Sequence, residues 1–297
     1  MVALARCGDS YPYDWSSAFS SQVRILSKKL SGDCLGNFLN LISIKEVSKS
    51  NVQALGVSFY NGNLSDACEL AQKGGLITAP SGPGLAQDLT RCPEYRRALE
   101  YSDLVLADSG LLCLWKKWVE KKPLSRISGL VFLLGILKTI DWEKKHTFWV
   151  MPDEGQAGAN RNWIRMTFGA SLPTSSIYIA PKYMKKGEIS DLSLLAQIEE
   201  KRPCSIFIQV GGGVQERLGL FLKENLSYTP SIYCTGAALA FLSGEQAYIP
   251  RWVDSLYLGW LLRCIHRPSI LVPRYLKAFR LVYLLAMYGE ESPPIRG

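Results

Sequence analysis

Between residues 54 and 242 the chain alternates short apolar runs with longer segments whose apolar positions recur at helical spacing. Ala54-Leu-Gly-Val-Ser-Phe59 has strand character, Asn61-Gly62-Asn63 marks a turn, and Ser65 is placed to cap a helix that runs toward Lys73 and stops at Gly74-Gly75. Leu76 to Thr78 then reads as a buried strand, Leu85 to Leu89 and Pro93 to Tyr101 as helix, and Leu104 to Ala107 as the next strand. Two strands joined by a helical crossover run parallel with a right-handed connection, so both open their carboxyl ends on one edge. Further strands are predicted at Thr147 to Met151, Ile177 to Ile179, Ser205 to Val210 and Ile232 to Cys234. Helices fall between them at Asn160 to Phe168, Ser190 to Glu200 and Gln215 to Asn225, and an Ala-rich helix closes the series at Leu242. This order predicts a doubly wound, Rossmann-like α/β fold with about six mostly parallel strands.

The flanks break the alternation. Residues 1–50 hold Tyr11, Tyr13 and Trp15 among serines, then a weak helical spacing of Val23, Ile25, Leu26 and Leu30, and read as an N-terminal extension. Between Arg251 and Arg280 six Lys and Arg stand against one acid, Asp254, amid Trp252, Tyr257, Trp260, Tyr275 and Phe279. The expected organisation is therefore an extension (1–50), an α/β domain (51–244) and a basic, aromatic, helical C-terminal appendage (245–297). Arg274, Lys277 and Arg280 share one sector of a helix whose other positions are Tyr, Leu, Phe, Val and Met. Such a helix suits packing with a solvated face or an anionic membrane surface. Nucleic acid is not the expected partner, because no recognisable binding module accompanies these aromatics.

A formal charge of +8 over 297 residues points to an anionic partner without choosing its kind. Cysteines at 7, 34, 68, 92, 113, 204, 234 and 264 stand singly, with no Cys-x-x-Cys pair, which suits reduced thiols in a cytosolic setting. Arg6 is followed by no apolar core, so no secretory signal is expected. The longest apolar run, Leu130 to Leu137, falls far short of the roughly 20 residues of a spanning helix.

Asp108 is the sharpest candidate for chemistry, delivered by Leu104-Val-Leu-Ala into a loop that continues Ser109-Gly110. A carboxylate there can cap the next helix or act on a substrate, and the strand alone does not decide. The parallel neighbour brings Thr78-Ala-Pro-Ser81-Gly-Pro-Gly84 to the same edge, either as a tight turn or as backbone built for close approach to a ligand. Gly211-Gly212-Gly213-Val-Gln215-Glu216 follows a strand and opens a helix, so its N–H groups can cradle a phosphate. It is not a dinucleotide fingerprint, because Glu216 stands where the third glycine belongs, and no Walker Lys-Ser/Thr follows. With His146 and His266 as the only histidines, and no Asp-x-Asp, there is little material for a zinc site, a His-based triad or a metal held between paired carboxylates. No metal and no cofactor are expected.

These motifs stand in a definite order. Leu104-Val-Leu-Ala-Asp108-Ser-Gly110, Arg126-Ile-Ser-Gly129, Gln209-Val-Gly-Gly-Gly-Val-Gln215-Glu216 and Gly236-Ala-Ala-Leu-Ala-Phe241-Leu-Ser-Gly244 precede Ile249-Pro-Arg-Trp252. Leu258-Gly-Trp260-Leu-Leu-Arg263, Arg267-Pro268 and Arg274-Tyr275-Leu276 follow. Together they resemble the WecG/TagA/CpsF family of bacterial glycosyltransferases from residue 52 to residue 288.

The resemblance implies metal-independent, inverting transfer of a sugar from a UDP-sugar to a polyprenyl-diphosphate-linked saccharide, in surface or exopolysaccharide synthesis. It implies a peripheral position on the cytoplasmic face of the membrane. Asp108 is the implied general base and Thr78 the threonine of the preceding loop. Ser81, Arg126, Gly211, Gly212, Gly213, Gln215, Glu216 and Gly236 are expected to bind substrate, and Arg263, Arg267 and Arg274 to hold the diphosphate and dock on an anionic membrane. Ser81, Ala240 and Gly259 depart from the customary residues, and the usual Gly-Val-Pro-Lys-Gln-Glu is here Gly211-Gly-Gly-Val-Gln-Glu216. The competing expectation is a non-catalytic, membrane-associated sugar-nucleotide-binding or scaffold protein. Self-association into a homo-oligomer is left open.

Overall fold

The computed structural model describes residues 51–143, 146–236, 238–243, 272 and 276–295. The extension at 1–50, the appendage arginines Arg263, Arg267 and Arg274, and Gly259 lie outside the described residues.

The strand expected over 54–59 is instead an antiparallel hairpin. β1 (Val52–Ala54) and β2 (Val57–Phe59) pair around Leu55 and Gly56, whose φ angles of 53° and 78° are those of a two-residue hairpin turn. Leu-Gly lacks the Asn-Gly or Asp-Gly pair that marks such turns, so the apolar run reads as continuous. The Tyr60 N–H donates to the Val105 carbonyl at 2.8 Å, which sets the hairpin against one margin of the main sheet. α1 (Leu64–Ala71) is capped by Asn63, whose Oδ1 accepts the Asp66 N–H at 2.9 Å, and not by Ser65, which already lies in the helix.

From β3 (Gly75–Thr78) a π-helical turn (Gly84–Asp88) leads through α2 (Leu89–Arg91) to α3 (Pro93–Glu100) and β4 (Leu104–Val105). Two helices follow, α4 (Gly110–Trp118), expected after Asp108 but without bounds, and α5 (Gly129–Thr139), which the pattern does not announce. β5 (Thr147–Met151), α6 (Glu154–Phe168), β6 (Ile177–Ile179), α7 (Leu192–Lys201), β7 (Ser205–Ile208), α8 (Val214–Asn225), β8 (Ser231–Cys234) and α9 (Ala238–Leu242) continue the alternation. α6 starts at Glu154 rather than Asn160, because Asp153 Oδ1 accepts the Gln156 N–H at 2.8 Å and fixes the polar first turn.

The sheet order is β4-β3-β8-β7-β5-β6, with every pair parallel. Alternate residues on each strand feed opposite cores. Leu76, Phe148, Val150, Ile206, Ile208 and Ile232 meet Ala98 of α3, Leu194 and Ile198 of α7 and Leu218 and Leu222 of α8. Ile77, Trp149, Met151, Phe207 and Tyr233 meet α1, α5, α6 and α9. Both faces are therefore covered, which is what an all-parallel sheet requires. The chain leaves β5 toward β6 and leaves β7 toward β8, so the connections diverge between β5 and β7, the switch point of the sheet.

A third core joins the hairpin, the π-helical turn, α3, α4 and α10 (Arg280–Tyr288), through Val57, Phe59, Leu85, Tyr95, Val105, Leu112, Leu281, Leu284 and Leu285. Arg280, expected on a basic outer sector, turns inward and donates to Thr90 Oγ1 at 3.1 Å. The chain then returns to the hairpin, where the Leu55 and Gly56 N–H groups donate to the Gly289 and Glu290 carbonyls at 2.9 and 2.8 Å. Among the described residues no helix is long and apolar enough to cross a membrane.

Candidate active site

The buried run Leu104–Ala107 ends in a tight turn in which the Asp108 N–H donates to the Leu106 carbonyl at 3.1 Å. Ser109, not Asp108, caps α4: its Oγ accepts the Leu112 N–H at 3.3 Å. Asp108 is thereby released from the capping role toward the next helix. Its Oδ1 accepts instead the N–H of Gly129, the first residue of α5, at 3.1 Å, which points the carboxylate at the positive end of that helix. Among the described residues no hydrogen bond reaches Oδ2. The half-buried Asp108 thus has one oxygen fixed by a helix.

Arg126 is brought beside it, with Nε donating to the Asp108 carbonyl at 3.1 Å. The segment that carries Arg126 is clamped by the buried Asn61, which donates to the Pro123 carbonyl at 3.2 Å and accepts the Ser125 N–H at 2.9 Å. Asn61 has no place in the sequence reading beyond a turn. Its burial was the missing signal.

The loops after β3, β4 and β8 converge on the same place. A Cβ on Gly82 would lie 3.1 Å from Ser109 Oγ, which places the β3 loop against the residue next to Asp108. Ser81 stands half-buried in that loop, its Oγ accepting the Gly84 N–H at 3.4 Å. Gly129 lies against the Thr235 carbonyl, 3.3 Å from where its Cβ would be. Ser81, Asp108, Arg126 and the Thr235-Gly236 turn are therefore gathered at one sheet edge.

Thr78 is not among the residues gathered there. Its side chain is fully buried, and its hydroxyl donates to Ser102 Oγ at 3.1 Å, which in turn donates to the Ala98 carbonyl at 2.6 Å. Lying on the α3 side of the sheet, this hydroxyl ties β3 to the loop before β4. In the Gly-rich motif, Gln215 and Glu216 are engaged internally. Glu216, 2% exposed, turns back so that its Oε2 accepts the Gly213 N–H at 2.7 Å and fills the start of α8 with an internal carboxylate. Gln215 Nε2 donates to Glu216 Oε1 at 3.0 Å, while Gln215 Oε1 accepts the Gly236 N–H. Gln215, Glu216 and Gly236 therefore hold one another, joining the loops after β7 and β8. The exposed Gly211 and Gly212 keep N–H groups that no acceptor takes among the described residues.

Gln209 completes this frame. Its Nε2 donates to Thr235 Oγ1 at 3.1 Å and its Oε1 accepts the Leu239 N–H at 3.3 Å. Burial raises the pKa of Glu216, and the nearby Asp88 adds to that. Cys113, close to both Arg126 and Asp108, is likewise pushed up, to about 12, by burial, so it is an inert thiol.

A sequence model of the glycosyl transferase WecG/TagA/CpsF family matches residues 48–292. The chain belongs to that family. Curated proteins give no match. Membership makes this WecG/TagA/CpsF protein a glycosyltransferase of cell-envelope polysaccharide synthesis. The matched span runs from the hairpin through the C-terminal return, so it contains the Asp108 edge and the three cores that build it.

Proposed function

We propose that this glycosyltransferase moves a sugar from a UDP-sugar to a polyprenyl-diphosphate-linked saccharide by metal-independent, inverting displacement, with Asp108 as general base. The observation that carries the reading is the carboxylate of Asp108 at the carboxyl edge of a parallel sheet: Oδ1 is held by the Gly129 N–H, and Oδ2 takes no hydrogen bond among the described residues. In this reaction the acceptor hydroxyl gives its proton to Asp108 Oδ2 as its oxygen attacks the anomeric carbon, and the bond to UDP breaks on the opposite side. Arg126, the exposed N–H groups of Gly211 and Gly212, and the appendage arginines Arg263, Arg267 and Arg274 supply charge for the departing diphosphate.

An acceptor embedded in lipid requires the site to meet a membrane. Leu276 and Phe279 in the turn before α10, and Tyr283 and Met287 on it, form an exposed apolar stripe opposite the buried Leu281, Leu284 and Leu285. The exposed Lys277 borders it. This stripe supports a peripheral position on the cytoplasmic membrane face, through interfacial binding to anionic lipid.

The test is to present UDP-sugars with synthetic polyprenyl-diphosphate mono- and disaccharides in detergent or vesicles, using wild type and Asp108→Asn. Transfer by wild type and a fall of about 10²–10⁴-fold in Asp108→Asn, with UDP binding kept, is the expected result. UDP binding by wild type without transfer to any acceptor would favour the non-catalytic reading.

A further inference from the structure

The loop between β6 and α7, residues 180–190, leaves the sheet at the same edge as Asp108, and the proposed chemistry makes no use of it. Its exposed side chains include Lys182, Met184, Lys185, Lys186 and Glu188, with Met184 79% exposed. Surface loops often carry lysines, but few fix their backbone as this one does. Arg217, only 3% exposed, donates from Nε to the Gly213 carbonyl at 2.7 Å, from one Nη to Gly187 at 2.5 Å and from the other to Met184 at 2.8 Å. Tyr183 donates its hydroxyl to Asp191 Oδ2 at 2.6 Å, and Asp191 caps α7 by accepting the Leu194 N–H at 2.9 Å.

A guanidinium withdrawn from water to bind three carbonyls is an expensive way to shape a loop. The shape it produces is a rigid tip with an exposed thioether among three ammonium groups, none of which forms an ion pair among the described residues. Lysine is a strongly hydrated point charge, suited to a diffuse field of negative headgroups, whereas bidentate phosphate recognition favours arginine. The one aromatic, Tyr183, is half-buried and committed to Asp191, so no platform for base stacking is presented.

We propose that this loop contacts an anionic lipid surface, with Lys182, Lys185 and Lys186 on the headgroups and Met184 entering the interface. The contact rests on the reading of a lipid-linked acceptor and adds a second point to it. The loop follows β6 at one margin of the sheet, while α10 packs beside β4 at the other. The loop is thus a point of contact separate from the stripe on α10. Arg217 also makes the loop and the Gly-rich turn one unit, so the lipid contact sets the height of the site above the surface.

The test is flotation of the full chain with vesicles of phosphatidylglycerol and phosphatidylcholine, and with phosphatidylcholine alone. Wild type should float with the anionic vesicles and lose binding as salt rises. At low salt, a variant carrying Lys182→Gln, Lys185→Gln and Lys186→Gln should bind on the order of a hundredfold more weakly, since each cation at such a surface contributes roughly fivefold. Met184→Ser should weaken binding several-fold with little change in salt dependence. Circular dichroism and melting confirm that both variants fold. Equal flotation of the triple variant and wild type overturns the proposal, as does binding of the loop to single-stranded RNA but not to vesicles. Flotation needs no substrate, so it stays readable if no sugar transfer is found. If transfer is found, the triple variant should lose it on vesicle-embedded acceptor and keep it on a short-chain acceptor in solution.

Discussion

At Glu216, burial disfavours the charged carboxylate, so the folded protein holds the proton more tightly than the unfolded chain. The stability this contributes is complete below the unfolded pKa of about 4.3 and is lost as pH rises through the raised folded value. In urea titrations from pH 4 to pH 8, Glu216→Gln should therefore gain on wild type as pH rises. A difference that is flat with pH would show that Glu216 stays charged. Thr78 invites the opposite kind of test. Because its hydroxyl is spent on Ser102, Thr78→Val should lose about 1–2 kcal/mol of stability and leave turnover within a few-fold of wild type. A large loss of turnover at unchanged stability would return Thr78 to the catalytic set. Residue types at the sheet edge were legible from the sequence, Asp108 above all, because a strand ending in a carboxylate is a local pattern. The division of labour was not, since whether Thr78 or Glu216 meets a ligand or a neighbour depends on contacts from distant segments.

The six parallel strands declare themselves as elements through local apolar runs, and the helices with a polar face declare themselves through spacing. α5 does not, because Gly129-Leu-Val-Phe-Leu-Leu-Gly-Ile-Leu is apolar on nearly every side and offers no period to read. The start of α1 shows a finer limit. Ser65 and Asn63 are both good caps, and only the extended backbone at Asn63, with φ −88° and ψ 167°, decides between them. Asn63→Ala should cost about 1 kcal/mol in chemical denaturation, while Ser65→Ala should be close to neutral. The reverse ranking would move the helix start by two residues. The hairpin turn was hidden for a related reason: Leu55 takes a positive φ without a sequence cue, held by its bond to Gly289 from the far end of the chain.

That long-range bond shows what the last segment does for the whole molecule. A reading by composition separates a catalytic domain from a membrane appendage, yet Leu281, Leu284 and Leu285 of α10 complete the core that supports β4, and β4 leads directly to Asp108. The two roles occupy opposite faces of one helix, so they can be separated by substitution. Leu281→Ala removes a fully buried side chain and should cost about 2–5 kcal/mol, with transfer to soluble acceptors falling only as far as the folded fraction does. Phe279→Glu and Met287→Glu, on the exposed stripe, should leave melting within about 0.5 kcal/mol of wild type and reduce flotation on anionic vesicles. Ending the chain after Tyr288 gives a third test, because it removes the Gly289 and Glu290 carbonyls that hold the hairpin. Hydrogen exchange at the Leu55 and Gly56 amides should then accelerate, while β5, β7 and β8, which pair only within the sheet, keep their protection. Uniform loss of protection across the sheet would mean that the return to the hairpin is needed for the entire fold, and unchanged exchange at Leu55 would mean that the hairpin stands without it.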